Sequence, residues 1–363
     1  MSMPFPSSPA VPERVIIDGV SYRVAKSSAV VDIDRDLLWH GDRWPKDSWY
    51  FASNLSANGQ RLGLQVHFLI KRLPVGDVAE LNVLVVNETI GVTRTFESVC
   101  PLDRITVRPD RLDMRTPELS LRGDRSGFVV SVKTKDAQID ITTTTAAAPV
   151  LFNGQGQVIF LGVKEQYDFA FPAMSTTGTV VLDQITYQVA GITWFDRQWG
   201  DTPSVMSSGH GNTPLGARAQ SEQAPKKLMM NWIWSNPQLD NGVNVTVGQV
   251  CDMSRNEVYL PLTAVHPDGT HIVVPRALPV ETSDYWTSPA TGQRYPTRCV
   301  FRAPQIDTEL VVEVPYKPQE LVSKSPISTK FEGSATVTGT YQGQHVTGNC
   351  YLELAGNWMS ARF

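Results

Sequence analysis

The sequence predicts an all-β protein built from two tandem antiparallel barrel or sandwich domains, with few and short helices. Three observations carry that expectation. Apolar and polar residues alternate with a period of two in many short segments. Gly, Pro, Asp and Asn bound those segments closely. No long stretch has an apolar period near 3.6, the signature of an amphipathic helix.

The strands can be taken in chain order. "RLGLQVHFLIKRL" sets Leu62, Leu64, Val66, Phe68 and Ile70 against Gly63, Gln65, His67 and Leu69. "ELNVLVVNETI", "RITVRP", "GFVVSVKTK" and "AQIDITTTTA" continue the pattern. "GTVVLDQITYQVAGITWF" reads as a hairpin turning at Asp183-Gln184. Further strands lie in "NWIWSNPQLDNGVNVTVGQVC", "NEVYLPLTAVHPDGTHIVVP", "ELVVEVPY" and "GSATVTGTYQGQHVTGNCYLELAGNW". A domain of this kind that encloses a cavity needs roughly 150 to 200 residues, so 363 residues imply two. A weak internal echo points the same way. Ser48–Phe68 and Asn231–Val250 each carry aromatic residues, a Ser-Asn or Asn-Pro step, a Gly-containing turn and a strand. The expected division is a tail over 1–14, one domain over 15–190 and a second over 191–363, with a boundary uncertain by about 20 residues. Asp201–Lys227, rich in Gly, Ser and Pro without periodicity, reads as a lid or a disordered loop.

Composition narrows the function. With 41% hydrophobic and 19% charged residues the chain can bury a core. A net charge of −4 without a basic block argues against a nucleic-acid partner. No run of 18 apolar residues exists to span a bilayer as a helix. "MSMPFPSSPAVPERV" lacks the apolar centre of a secretory signal, so a cytoplasmic location is expected. Cys100, Cys251, Cys299 and Cys350 are widely spaced and are expected as free, mostly buried thiols. The six histidines show no metal-ligand spacing, and no dinucleotide fingerprint, phosphate loop or Gly-x-Ser-x-Gly elbow is present. A protein without metal or cofactor is the consistent reading.

The unusual segment is "ITWFDRQWGD", where Asp196 and Arg197 sit among tryptophans in a strand. Alternation places Ile192, Trp194, Asp196 and Gln198 on one face, and Phe195, Arg197 and Trp199 on the other. An aspartate enclosed by indoles is starved of water, its pKa rises, and it becomes a general acid suited to protonating an electron-rich carbon such as an alkene. The indole faces would stabilise the resulting carbocation. The competing reading is structural, with Asp196 paired to Arg197 or to a backbone amide at a strand end.

"TGTVVLDQITYQVAGITWFDRQWG" resembles the signature of the AttH/carotenoid hydratase (CrtC-like) lipocalin-related family, matching at Gly178, Tyr187, Val189, Gly191, Trp194, Asp196, Gln198, Trp199 and Gly200. "SWYFASNLSANGQRLGLQVHF" resembles the family's first strand, and "GNCYLELAGNW" its last. The resemblance implies two consecutive lipocalin-like domains with an apolar pocket near their junction. It also implies chemistry on bulky unsaturated molecules, either hydration of double bonds or pericyclic reactions on polyketide and terpenoid skeletons. One departure is Arg197, where family hydratases often carry histidine. Arginine cannot exchange protons near neutrality, which shifts the expectation from hydration toward isomerisation, cyclisation or a pericyclic step.

The expected function is therefore a cofactor-independent hydratase, isomerase or cyclase acting on a hydrophobic terpenoid or polyketide. Asp196 is its expected proton donor, with Arg197 and Glu353 setting the ionisation of that acid. Trp49, Tyr50, Gln65, His67, Trp194, Gln198, Trp199, Trp232, Trp234 and Tyr351 are the candidate substrate contacts. A shape-controlled pericyclase and a non-catalytic carrier of hydrophobic metabolites remain the alternatives. Substrate identity and oligomeric state are not written in the sequence.

Overall fold

The computed structural model describes residues 14–23, 30–73, 76–158, 165–201, 230–252, 257–324 and 328–359. These residues form two large curled sheets, of 12 and 14 strands. The first sheet runs in the order Val92–Pro101, Val78–Asn87, Gln60–Lys71, Lys46–Ala57, Ile185–Gly200, Gln166–Leu182, Ala137–Thr144, Gly127–Lys133, Leu119–Asp124, Leu112–Arg115 and Thr106–Val107. The only α-helix among the described residues is the single turn Ile33–Asp36, which Asp32 caps by accepting from the Arg35 amide at 3.2 Å. The fold is thus the all-β, lipocalin-like architecture expected.

Both sheets share one connectivity. Each places its first long strand between that strand's hairpin partner and the last strand of the sheet. In the first sheet Lys46–Ala57 lies between Gln60–Lys71 and Ile185–Gly200. In the second, Met230–Ser235 lies between Asn244–Asp252 and Gln344–Gly356. Lys330–Tyr341 then pairs with Gln344–Gly356, as Gln166–Leu182 does with Ile185–Gly200. The two echoing sequence segments therefore occupy the same position in their sheets.

Ile185–Gly200 runs unbroken through position 190, and the chain changes sheet after Gly200. Arg14–Ile17 and Val20–Arg23 belong to the second sheet, where Arg14–Ile17 lies parallel to His271–Val274. Residues 1–13 of the expected 1–14 tail and 202–227 of the expected lid fall outside the described residues. At the tight hairpin Asp183 and Gln184 adopt φ of 49° and 68°, the doubly left-handed geometry that two-residue hairpins need.

Alternation gives the strands near the junction two buried faces. Trp49, Phe51, Phe68, Phe195 and Trp199 pack in the core of the first sheet. Ile233, Phe331, Leu352 and Leu354 pack in the core of the second. The intervening positions meet between the sheets, where Tyr50, Ala52, Ala170, Trp194, Trp234 and Tyr351 form a third apolar cluster. Gly63 permits this approach. A Cβ there would lie 2.6 Å from Val86 Cγ1 and 2.7 Å from Ser334 Cβ of the opposite sheet. Polar contacts also cross the seam, among them Asn54 Nδ2 donating to the Cys350 carbonyl at 3.2 Å.

Candidate active site

The Ile185–Gly200 strand carries Trp194, Asp196 and Gln198 on its seam face. Trp194 Nε1 donates to Asp196 Oδ1 at 2.7 Å. Pairing with Gln166–Leu182 sets Asp168 opposite Gln198 and Ala170 opposite Asp196, so Asp168 is the diagonal neighbour of Asp196 on the same face. Gln198 Nε2 donates to Asp168 Oδ2 at 3.3 Å, and Lys46 Nζ donates to Gln198 Oε1.

The second sheet faces this group with Lys330, Glu332, Tyr351 and Glu353. Lys330 pairs with Glu332, and its Nζ lies 3.6 Å from Glu353 Oε2. Tyr50 reaches across the seam and donates to Glu332 Oε2 at 2.7 Å. Beside it, Ser48 Oγ and His67 Nε2 are 2.7 Å apart, and Lys330 Nζ is 3.3 Å from His67 Nδ1.

Burial dominates the ionisation of this cluster. It pushes Asp196 well above the usual carboxylate range; nearby Glu353 adds to the rise, and the Trp194 bond opposes it. Asp168 is also held well above that range, first by burial and then by Asp196, against the pull of Lys46. Burial, with Lys330 offsetting it, lifts Glu332 to about 7. The same desolvation lowers Lys46 to about 8 and holds His67 well below its ordinary value, hence neutral. Lys46, His67, Asp196, Gln198, Trp232 and Glu353 nevertheless retain some accessible surface. They form the part-accessible side of this seam cluster. Among the described residues, no three His, Cys, Asp or Glu side chains converge as a metal site.

Most of the expected site residues face this seam. Trp234 stands edge-on to both Tyr50 and Trp194, with ring centroids 5.9 and 6.0 Å away. Trp232 packs near Phe152, Val158 and Tyr259. Gln65 is fully buried, and among the described residues neither its amide heteroatoms nor the buried Tyr351 hydroxyl has a hydrogen-bond partner.

Three expected site residues lie elsewhere. Arg197, fully buried, points into the first sheet's core, where it pairs with Asp47 and donates to the carbonyls of Leu38 at 2.8 Å and Gln198 at 2.9 Å. Its guanidinium lies over Trp49 at 4.2 Å and Trp199 at 5.1 Å, and both rings belong to that same core. The expected control of Asp196 by Arg197 is therefore corrected: the neighbouring charge that raises Asp196 is Glu353. Because position 197 looks away from the seam cluster, its departure from the family's histidine bears on core packing. It gives no ground for demoting hydration.

Asp168, Lys46, Lys330 and Glu332 were absent from the expected site. Each sits at an alternate position of a strand rich in apolar residues, the signal that singled out Asp196, but in "QYDFAF" and "KFEGSA" no tryptophan drew attention to it.

A separate groove of about 1810 Å³ opens on the other side of the aromatic layer. Strand order shows the separation. Along one strand Ile192 lines the groove, Trp194 is in the layer and Asp196 in the charged seam cluster; along another, Asn349, Tyr351 and Glu353 follow the same sequence. None of the carboxylates of that cluster lines the groove.

A family model described as AttH-like matches residues 25–357. The chain belongs to the AttH-like family. Its fold recurs in a protein of Nitrosomonas europaea assigned as an AttH, at 18% identity over 90% of this chain and 97% of that one, with a TM-score of 0.72. It recurs in kievitone hydratase from Nectria haematococca, at 18% identity over 86% and 90%, with a TM-score of 0.66. CghA with Sch210972 aligns at 12% identity over 87% and 89%, with a TM-score of 0.55. At such identities the likeness is one of fold. No functionally curated protein matches the sequence. What distinguishes this AttH-like protein must therefore be read from its own seam.

Proposed function

We propose that this AttH-like protein is a cofactor-independent enzyme of the lyase or isomerase type, acting by acid catalysis on a bulky unsaturated hydrophobic molecule of terpenoid or polyketide character. The observation that carries the reading is Asp196, which accepts from the Trp194 indole at the seam, keeps some accessible surface, and is pushed well above the usual carboxylate range by burial, with Glu353 adding to the rise. The indole fixes Oδ1 and leaves Oδ2 to present the proton. An alkene π pair takes that proton, a C–H bond forms, and Asp196 becomes a carboxylate. The cationic carbon is met by the rings of Trp194, Trp232, Trp234 and Tyr50. Water addition with loss of a proton gives hydration, loss of a neighbouring C–H proton gives isomerisation, and attack by a second alkene followed by loss of a C–H proton from the new cation gives cyclisation. In each case the released proton restores Asp196. The fold shared with a protein named as a hydratase supports the same direction.

The test compares the parent with Asp196→Asn on polyunsaturated hydrophobic compounds, following a mass gain of one water or an isomer at unchanged mass. Turnover should fall by about 10² or more, the contribution of a positioned acid, with ligand binding and melting temperature preserved. Undiminished turnover would refute proton donation and fit a pericyclic step governed by pocket shape. The groove of about 1810 Å³, apart from the carboxylates, favours one second reading, a carrier of hydrophobic metabolites. Saturable binding with no conversion by the parent would support it.

A further inference from the structure

We propose that Asp168 and Asp196 act as one carboxyl pair sharing a single proton, with Asp168 as a positioning residue toward which Gln198 and Lys46 draw the pair's negative charge, so that the proton is available at Asp196. This inference rests on the proposed role of Asp196 and assigns its neighbour a part in it.

The geometry is asymmetric in the required sense. The two carboxyls are diagonal neighbours on one face of adjacent strands, close enough to interact at a buried seam that screens charge poorly. Two like charges there cannot both form freely, so the pair retains a proton near neutrality. Which carboxyl keeps it depends on the surroundings. Asp168 Oδ2 accepts from the Gln198 amide, whose own oxygen is held by Lys46, and both partners favour a charged Asp168. Asp196 instead faces Glu353 from the opposite sheet, which disfavours a second negative charge. Asp168 is 4% exposed, and its Oδ1 has no hydrogen-bond partner among the described residues, a costly arrangement unless that oxygen serves a shared proton or a ligand.

The wider surroundings fit the same division of charge. Lys71 stands beyond Lys46 on the neighbouring strand, and neutral His67 lies on that strand's seam face. Lys330 and Glu332 face the pair from the second sheet, largely offsetting one another. Tyr259 approaches Asp168 from a third side, and the Arg197 charge acts on Asp168 from behind the strand.

The experiment is a carboxyl ¹³C titration of the full chain labelled at aspartate, with the Asp196 signal assigned by its loss in Asp196→Asn. Asp196 should stay protonated through neutral pH in the parent. In Asp168→Asn its midpoint should drop by one pH unit or more, because a like charge has gone. In Lys46→Met the pair's midpoint should rise, because a cation has gone; this variant serves where Asp168→Asn does not fold. An Asp196 midpoint unmoved in both variants would overturn the pair while leaving Asp196 as the acid. An Asp196 already ionised at neutral pH in the parent would overturn both.

Discussion

Trp194 and Asp196 lie two residues apart on one strand face, and the indole Nε1 donates to the carboxyl Oδ1 at 2.7 Å. The contact ties the acid's orientation to the largest apolar side chain beside it. It also favours the ionised form, against the burial that raises Asp196. The indole thus tempers the acid it positions.

Removing that bond has a definite sign. In Trp194→Phe the carboxylate loses a donor, so the Asp196 pKa should rise further. Because the acid works when protonated, activity falls as pH rises through its pKa, and the alkaline limb of the pH–rate profile should move to higher pH. The rate itself should drop by about tenfold as acid strength and orientation are lost. A limb that stays in place would detach the indole from the acid's ionisation.

Arg197 yields a contrasting expectation. The buried Arg197–Asp47 pair belongs to the first sheet's core, so Arg197→Met removes the guanidinium partner of Asp47 and leaves this buried carboxylate to His40 Nδ1, 2.8 Å away. Breaking such a pair costs about 3–5 kcal/mol, to be read from urea unfolding. The Asp196 titration should move far less than in Asp168→Asn, since Arg197 reaches the pair only through Asp168 and as its weakest influence. Full stability together with a shifted Asp196 would restore Arg197 to the active site.

Gly63 reports on the docking of the sheets. Its added Cβ would press on Val86 Cγ1 and on Ser334 Cβ, which is anchored to backbone and cannot swing away. Gly63→Ala should destabilise the protein by about 1–3 kcal/mol, and Gly63→Val by more. A melting temperature unchanged in Gly63→Ala would show that the sheets can separate at little cost.

A histidine across the seam sets a pH dependence. His271 Nε2 accepts from the Leu151 amide at 3.0 Å, its Nδ1 donates to the Gly269 carbonyl at 3.0 Å, and burial lowers its pKa to about 4. The folded state thus favours the neutral ring, while the unfolded chain binds a proton from about 6.5 downward. The resulting stability is present above pH 6.5 and is lost as pH falls toward 4, amounting to roughly 3 kcal/mol across that window. His271→Gln should flatten this slope relative to the parent in denaturant titrations at several pH values. Parallel slopes would contradict the assignment.

Alternation made the fold and half of the site legible. Period-two patterning identified the strands, the Asp183-Gln184 turn and the face shared by Trp194, Asp196 and Gln198. It could not show which face of a two-sided strand meets the seam, so Trp49 and Trp199 were grouped with Tyr50 and Trp194. Their separation depends on how the sheets curl. Asp168 stayed hidden because its importance comes from cross-strand register with Gln198, 30 residues away along the chain. Lys46 and Glu332 likewise gain their perturbed ionisation only when another strand or sheet encloses them. The N-terminal strand's membership of the second sheet is a parallel pairing with His271–Val274 that no local pattern encodes.

Infrared difference spectroscopy between the parent and Asp196→Asn at pH 7 probes the carboxyl itself. Loss of a protonated C=O band in the variant is the expected result, showing that residue 196 holds its proton at neutrality inside the folded protein. Loss of a carboxylate band alone would mean that the side chain is an ordinary ionised aspartate, and acid catalysis from this position would be ruled out.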